Sequence, residues 1–264
     1  EATIMLATQA DKATAAFAKQ TGTGTTHRAS IANLSREYRE LGVTTEDASK
    51  AIGSLFVNMP GYTSMAADQQ RELERSVVTL EKLGVATEDS TALMNDLMKS
   101  QKLSTEQAIQ QTQELALMAE SLQMRASDFV KGFTEARKVL APYGRESVKI
   151  FKNIAAAAQA AGVETSSLLQ MAGKFDTFND SAETAGKLNA ILGSQLSATE
   201  LLTMSEDKRI ETVIRSMQAQ GKNFKEMDKF TQMAIAQTLG ISDLNEAQKI
   251  LGMDVAGFQN YQAK

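Results

Sequence analysis

The side chains with the most chemical potential in these 264 residues are few, because there is one histidine, His27, and no cysteine. No pair of imidazole ligands, thiolate zinc site, disulfide or Cys nucleophile can be assembled from them. Carboxylate chemistry remains. Glu146 stands between Arg145 and Ser147. Its plainer role is a first-turn carboxylate at the positive end of a helix. The run Asp176-Thr177-Phe178-Asn179-Asp180 gathers oxygen donors, but Phe178 occupies the third position and Ser181 replaces the sharp-turn glycine at the sixth. Turn and capping roles for Asp176 and Asp180 are favoured over a calcium loop. Gly22 and Gly24 make a Gly-x-Gly pair with no strand before it and no third glycine, the pattern of a linker. The sequence contains neither the phosphate-cradling Gly-x-x-x-x-Gly-Lys-Ser/Thr nor the Gly-x-Ser-x-Gly nucleophile elbow. His27, at the end of a Gly/Thr stretch, therefore reads as a solvated histidine. No catalytic, cofactor-binding or metal-binding residue is assigned, no cofactor is expected, and the expectation is a protein that is not an enzyme.

The elements that would position such residues are helices. Apolar residues recur every three or four positions as Ala48, Ile52, Leu55 and Met59, then Leu73, Val77 and Leu80, then Ala108, Leu115, Met118 and Leu122. The carboxy half repeats the spacing with Val148, Phe151, Ala155 and Ala158, with Ala182, Ala185, Leu188 and Leu192, with Ile210, Val213 and Met217, and with Met227, Phe230 and Ala234. No convincing strand remains. Arg71, Glu72, Glu74 and Arg75 read as a solvated helix side with weak ion pairs.

A recurring phrase separates the helices: Leu41-Gly42-Val43-Thr44-Thr45-Glu46-Asp47, Leu83-Gly84-Val85-Ala86-Thr87-Glu88-Asp89 and Leu239-Gly240-Ile241-Ser242-Asp243. Glycine takes the left-handed turn that ends one helix, and Val or Ile staples onto the next. Thr44 or Ser242 is then expected to accept a backbone N–H, with Thr87 replacing Ala86 in the second copy. Ser104-Thr105-Glu106-Gln107 and Ser197-Ala198-Thr199-Glu200 have capping-box spacing. The fold class that follows is all-α, a compact array of many short capped helices joined by tight Gly/Thr/Ser turns. Residues 1–26 are expected to form an N-terminal helix and linker, with a flexible junction at 21–26, and residues 27–264 a multi-helix module.

Charge restricts the partners. Residues 1–132 carry 13 basic and 17 acidic side chains and residues 133–264 carry 15 of each, which together give the net charge of −4. Neither half has the basic excess that releases counterions from a nucleic-acid backbone, so no direct nucleic-acid contact is predicted. No apolar run is long enough to span a bilayer. Glu1 rather than methionine opens the sequence, which is expected to be a piece of a longer chain.

Two resemblances bear on function. The first is extended: Leu41 to Ala48, Ala51-Ile52-Gly53-Ser54-Leu55-Phe56, Gln69 to Leu73, Leu83 to Ser90, Val148 to Ala158, Lys174-Phe175-Asp176-Thr177-Phe178, Gly186 to Gly193 and Gly221 to Phe230. In this order the chain resembles, over roughly residues 40–252, the tail tape measure proteins of contractile-tailed bacteriophages. The resemblance implies a structural component of the virion, in the lumen of the phage tail and assembled in the host cytoplasm. It implies roles in tail length determination, tail assembly and DNA ejection. It also implies as partners the tail tube protein, baseplate hub proteins, a tail assembly chaperone and further copies of the chain, a trimer among the stoichiometries. A continuous helix of this length would reach about 400 Å at 1.5 Å per residue. The glycine and proline breaks forbid such a rod, so a folded module is expected instead. The second resemblance is short. Glu146-Ser147 followed by Leu168-Leu169-Gln170-Met171 is similar to soluble lytic transglycosylases, without their paired glycines, and would make Glu146 the general acid of a peptidoglycan-degrading domain. A cellular helical adaptor is the third possibility.

Overall fold

The computed structural model describes residues 2–22 and 27–262, and among these the side chains of 11–19, 21–22, 27–257 and 259. Every regular element among the described residues is helical, so the fold is all-α. The chain divides into two compact units, Glu1–Thr134 and Glu135–Lys264.

The first unit holds α1 (Ala2–Thr21), α2 (Arg28–Glu37), α3 (Thr45–Asn58), α4 (Ala67–Lys82), α5 (Thr87–Ser100), α6 (Thr105–Ser121) and the start of α7 (Ala126–Leu140). Helix α3 is central, with α1, α2, α4 and α5 all packed on it. Its residues Ala48, Ser49, Ala51, Ile52, Gly53, Ser54 and Leu55 are buried, with Lys50 exposed among them. Small side chains on the flanks let several helices approach at once, while Ile52 and Leu55 each contribute about 1.5–3 kcal/mol of burial. The expected N-terminal helix is present as α1 and belongs to this unit. Ser49 Oγ donates to the Ala13 carbonyl at 3.0 Å, which ties α1 to α3. Thr23 to Thr26, most of the expected flexible junction, lie outside the described residues.

The turn phrase explains how α3 and α5 begin. Gly42 and Gly84 have φ of 73° and 89°, a conformation that costs a residue with a Cβ more than it costs glycine. Val43 N–H then donates to the Tyr38 carbonyl at 3.2 Å and Val85 N–H to the Leu80 carbonyl at 2.9 Å, closing the preceding helical turns. Val43 and Val85 are buried as staples. Thr44 caps α3 in a complete capping box, accepting from Asp47 N–H at 3.1 Å while Asp47 Oδ2 accepts from Thr44 N–H at 3.0 Å. Lys82, at the end of α4, donates to the Gly42 carbonyl at 3.0 Å and to Asp47 at 3.1 Å, so one turn is latched onto the end of the next helix.

Two expected caps are corrected. Ala86 is the residue before α5 and no side chain caps that helix. Thr87 already lies inside the helix and its hydroxyl donates to Glu88 at 3.0 Å. In the third phrase Asp243, not Ser242, accepts from Asn245 N–H at 2.7 Å. Ser104 and Ser197 cap as expected.

The second unit holds the end of α7, then α8 (Ser147–Ala161), α9 (Thr165–Gly173), α10 (Phe178–Leu192), α11 (Ala198–Thr203), α12 (Glu206–Ala219), α13 (Lys229–Thr238), α14 (Leu244–Leu251) and α15 (Val255–Gln262). Helices α9, α12, α14 and α15 pack on α8, and α10 packs on α11 and α13. The run Ala155–Ala158 of α8 is buried, and its small side chains admit neighbours closely. Helix α13 departs from the sequence pattern. Phe230 is 85% exposed, and the buried stripe runs instead through Gln232, Ile235 and Ala236 to Leu239.

Candidate functional site

Glu146 ends a 3-10 segment, Ala141–Glu146, and stands just before α8 rather than in its first turn. It is exposed at the edge of an open hollow of about 550 Å³ lined also by Tyr143, Lys149, Asn153, Asp207 and Gln259. The hollow brings Glu146 to the same concavity as a second carboxylate. Asp207, however, accepts from Asn153 Nδ2 at 2.7 Å and from Ser205 Oγ at 2.6 Å, bonds that spend it on joining α8 to α12. The remainder of the transglycosylase-like pattern lies in α9, where Leu168 and Met171 are fully buried core residues and none of the four lines the hollow.

Behind that hollow, the first turns of α12 bury four charged residues, Glu206, Asp207, Arg209 and Glu211. Arg209 organises them. Its Nε donates to the Leu201 carbonyl at 2.8 Å, Nη2 to the Leu202 carbonyl at 3.1 Å, and Nη1 to the Ala172 carbonyl at 3.2 Å and to Asp176 at 2.5 Å. One guanidinium thus adds bonds at the C-terminal turns of both α9 and α11, where the Ala172 and Leu201 carbonyls also accept from Phe175 N–H at 3.1 Å and Met204 N–H at 3.3 Å. Asp176 lies in the turn after α9, its N–H donating to the Gly173 carbonyl at 3.3 Å, and its carboxylate is in addition the ion-pair partner of Arg209. Asp180 keeps its role at the start of α10, where Thr177 accepts from its N–H at 3.1 Å. Among the described residues there is no group of acidic or histidine side chains placed to hold a metal ion.

Glu206 lies 3.8 Å from Arg209, and its Oε2 is buried with no hydrogen-bond partner among the described residues. Burial raises its pKa above the usual glutamate value against the pull of its own backbone N–H, Arg209 and Tyr143. Tyr143 is pushed up to about 12, by burial first and by Glu206 second. Glu211 goes the other way: burial pushes it up, but hydrogen bonds from Lys208 and Gln259 together with Lys208 and Arg215 charge outweigh that.

The first unit treats its polar groups differently. Glu74, expected on a solvated face, is buried, and its Oε1 accepts from the Tyr62 hydroxyl at 2.6 Å. Burial raises the Glu74 carboxyl, with Tyr62, Arg71 and Arg75 opposing, and raises the Tyr62 phenol strongly. Arg71, Glu72 and Arg75 are exposed as expected. His27 is half-buried, its ring edge-on to Phe17 at 5.3 Å and to Phe56 at 6.2 Å, and burial lowers its pKa. It is an aromatic packing group, not the solvated histidine expected. Gly22 ends α1 with φ of 71°, and Gly24 lies outside the described residues.

These polar groups are spent on holding helices together, which leaves the exposed apolar residues as the functional candidates. Leu41 and Leu83 are 58% and 46% exposed on the two latched turns of the first unit. In the second unit Phe230 and Met233 lie one turn apart on α13, and Phe178 starts the neighbouring α10 at 62% exposure. The signal for Phe230 was present in the sequence: it follows Asp228, whose Oδ1 accepts from Phe230 and Thr231 N–H at 3.1 Å. A residue two beyond an N-cap occupies the first turn of the helix, so its phase must be counted from there. Across known proteins, no family model, curated sequence or solved structure matches the chain.

Proposed function

We propose that the chain is a non-enzymatic docking module of a tail tape measure protein, carried in the phage tail lumen and binding other tail components through its exposed helix faces. The observation that carries the docking reading is Phe230, the most exposed large apolar side chain of the described residues, on a helix whose core side is already filled. An aromatic ring held in water costs solvation free energy that a partner surface recovers, and aromatic residues anchor interfaces. Rigid helix ends present it: Asp228 fixes the start of α13 by two backbone bonds. The tail setting rests on the sequence resemblance over residues 40–252. In this setting the module contacts the tube protein, baseplate hub proteins and the assembly chaperone during assembly, and leaves with the tape measure at DNA ejection.

Residue-resolved crosslinking in purified tails tests the reading. Crosslinks from positions flanking Phe230 to tail proteins are expected, and absence of the chain from purified particles overturns the tail assignment in favour of a cellular adaptor. Peptidoglycan release by the purified chain, lost in Glu146→Gln with folding retained, would replace docking by a muralytic activity.

A further inference from the structure

The start of α12 holds a carboxylate that the fold only half satisfies. Glu206 is 2% exposed, and its Oε2 is buried with no hydrogen-bond partner among the described residues. The cation beside it, Arg209, stands 3.8 Å away and is already committed to Asp176 at 2.5 Å. One guanidinium therefore faces two carboxylates, which leaves the cluster with a negative charge too many when both are ionised. A buried charge without full compensation is relieved by taking up a proton.

The same carboxylate competes for a second donor. The Tyr143 hydroxyl, on the 3-10 segment Ala141–Glu146, donates to the Met204 carbonyl at 3.3 Å and lies against Glu206. Met204 ends α11, and Ser205 alone separates it from Glu206. A phenol has one proton to give, and a charged acceptor makes the stronger bond with it than a carbonyl does. The ionisable groups facing Glu206 are thus Arg209 on its own helix, Tyr143 on the 3-10 segment and Asp176 in the turn after α9. Lys149 of α8 and Glu146 line the open hollow with Asp207 instead, and Lys208 is bonded to Glu211. Helices α9 and α15 bring no ionisable side chain among the described residues.

We infer that Glu206 is a proton-operated clasp on the end of α11. With Glu206 neutral, Tyr143 keeps its bond to Met204, and Arg209 keeps its bonds to Asp176, Ala172, Leu201 and Leu202. Ionised Glu206 draws the phenol proton and the guanidinium toward itself, and the last turn of α11 loses its outside donors. The only covalent change is the carboxyl O–H, whose proton passes between Glu206 and solvent. Burial raises the Glu206 carboxyl above 4.5, so the closed form holds the proton and yields as pH rises. The clasp lies wholly in the second unit and is independent of the docking reading.

NMR titration of the whole chain, following side-chain carboxyl carbons and backbone amides from acid to neutral pH, tests this. The Glu206 carboxyl signal, assigned through its own backbone amide, is expected to titrate above 4.5. The amides of Leu201 to Met204 are expected to shift with that same midpoint, and to lose this titration in Glu206→Gln, whose side-chain amide stands for the neutral acid. In Asp176→Asn the Arg209 charge serves Glu206 alone, and the Glu206 midpoint is expected to fall. Amides of α11 that ignore the Glu206 midpoint overturn the inference, as does a titration that survives in Glu206→Gln. A midpoint that stays put in Asp176→Asn overturns the shared guanidinium and the clasp with it. If the glutamine variant does not fold, the native titration and Asp176→Asn decide alone.

Discussion

The two units bury different balances of polar groups, for the second adds a cluster of charges to buried hydroxyls such as Ser147, Ser181, Thr184 and Ser194. In the first unit the buried polar side chains are mainly hydroxyls, among them Ser49, Ser54, Thr87, Ser90, Thr91, Thr105 and Thr112, with Glu74 hydrogen-bonded by a phenol. In the second, the start of α12 buries Glu206, Asp207, Arg209 and Glu211. A hydroxyl hides cheaply because a carbonyl one turn back accepts its proton, as when Thr112 donates to Ala108 at 2.8 Å. A guanidinium demands several acceptors, and Arg209 finds them 7, 8, 33 and 37 positions away in the chain. The lesson is one of reach. A hydroxyl bonds one or two groups, local for Thr112 and remote for Ser49 and Thr91, whereas the buried guanidinium gathers four acceptors from three segments at once.

Removing the organiser should have the largest effect. Arg209→Met is expected to cost about 3 kcal/mol, because it leaves the buried Glu206 without its neighbouring positive charge and removes the side-chain bonds at the ends of α9 and α11. Urea unfolding measures this, and a loss below about 1 kcal/mol would dissolve the contrast between the units. Tyr62→Phe removes the donor to a buried carboxylate in the first unit and is expected to cost about 1–3 kcal/mol at neutral pH. That cost should shrink in acid, where Glu74 takes up a proton.

Acid response sharpens the comparison further. Burial raises Glu74 and Glu206 above their unfolded value of 4.5, and raises Glu81 similarly. Between 4.5 and those raised values the folded chain holds more protons than the unfolded one, so stability falls as pH rises through that window. Asp47, Asp228 and Glu211 are shifted down, and their stabilisation is complete above unfolded values of 3.8, 3.8 and 4.5 and is lost only below them. The windows do not overlap. Glu74→Gln and Glu206→Gln should each flatten the decline of the urea midpoint above pH 4.5, and an unchanged slope in both would refute the assignment to these carboxyls.

The smallest effects lie among the hydroxyls. Thr91 bonds the Thr87 carbonyl at 2.8 Å and also meets Ser54 at 2.8 Å and Asn58 at 3.2 Å, linking α5 to α3. Thr91→Val is expected to cost about 1 kcal/mol. Thr112→Val, which breaks only the local bond to Ala108, should cost at most about 0.5 kcal/mol, and calorimetric Tm values would rank the pair.

What could be seen in the sequence follows from the same distinction of local and remote. The helix starts at Thr44 and Ser104 were legible because donor and acceptor are three residues apart. The apolar stripe Ala48, Ile52, Leu55 and Met59 was legible because its period is unbroken. Phe230 was misplaced because Met227, counted as its predecessor, is extended at ψ of 152° and lies outside the helix, so the period restarts at Asp228. Glu74 was misread because a charged run on α4 crosses the stripe of Leu73, Val77 and Val78, and its partner Tyr62 is 12 residues away. Nothing near Arg209 in the sequence announces Ala172 or Asp176. For the exposed candidates, period finds apolar residues but not the side of the helix that neighbours leave open.

Helix α11 has six residues, too few to persist by its own hydrogen bonds. It stands where Ser197 caps its start and Arg209 bonds its Leu201 and Leu202 carbonyls. That makes the segment a gauge: proton–deuterium exchange at Leu201 to Met204 would report whether the guanidinium grip is closed, long before the rest of its unit lets go.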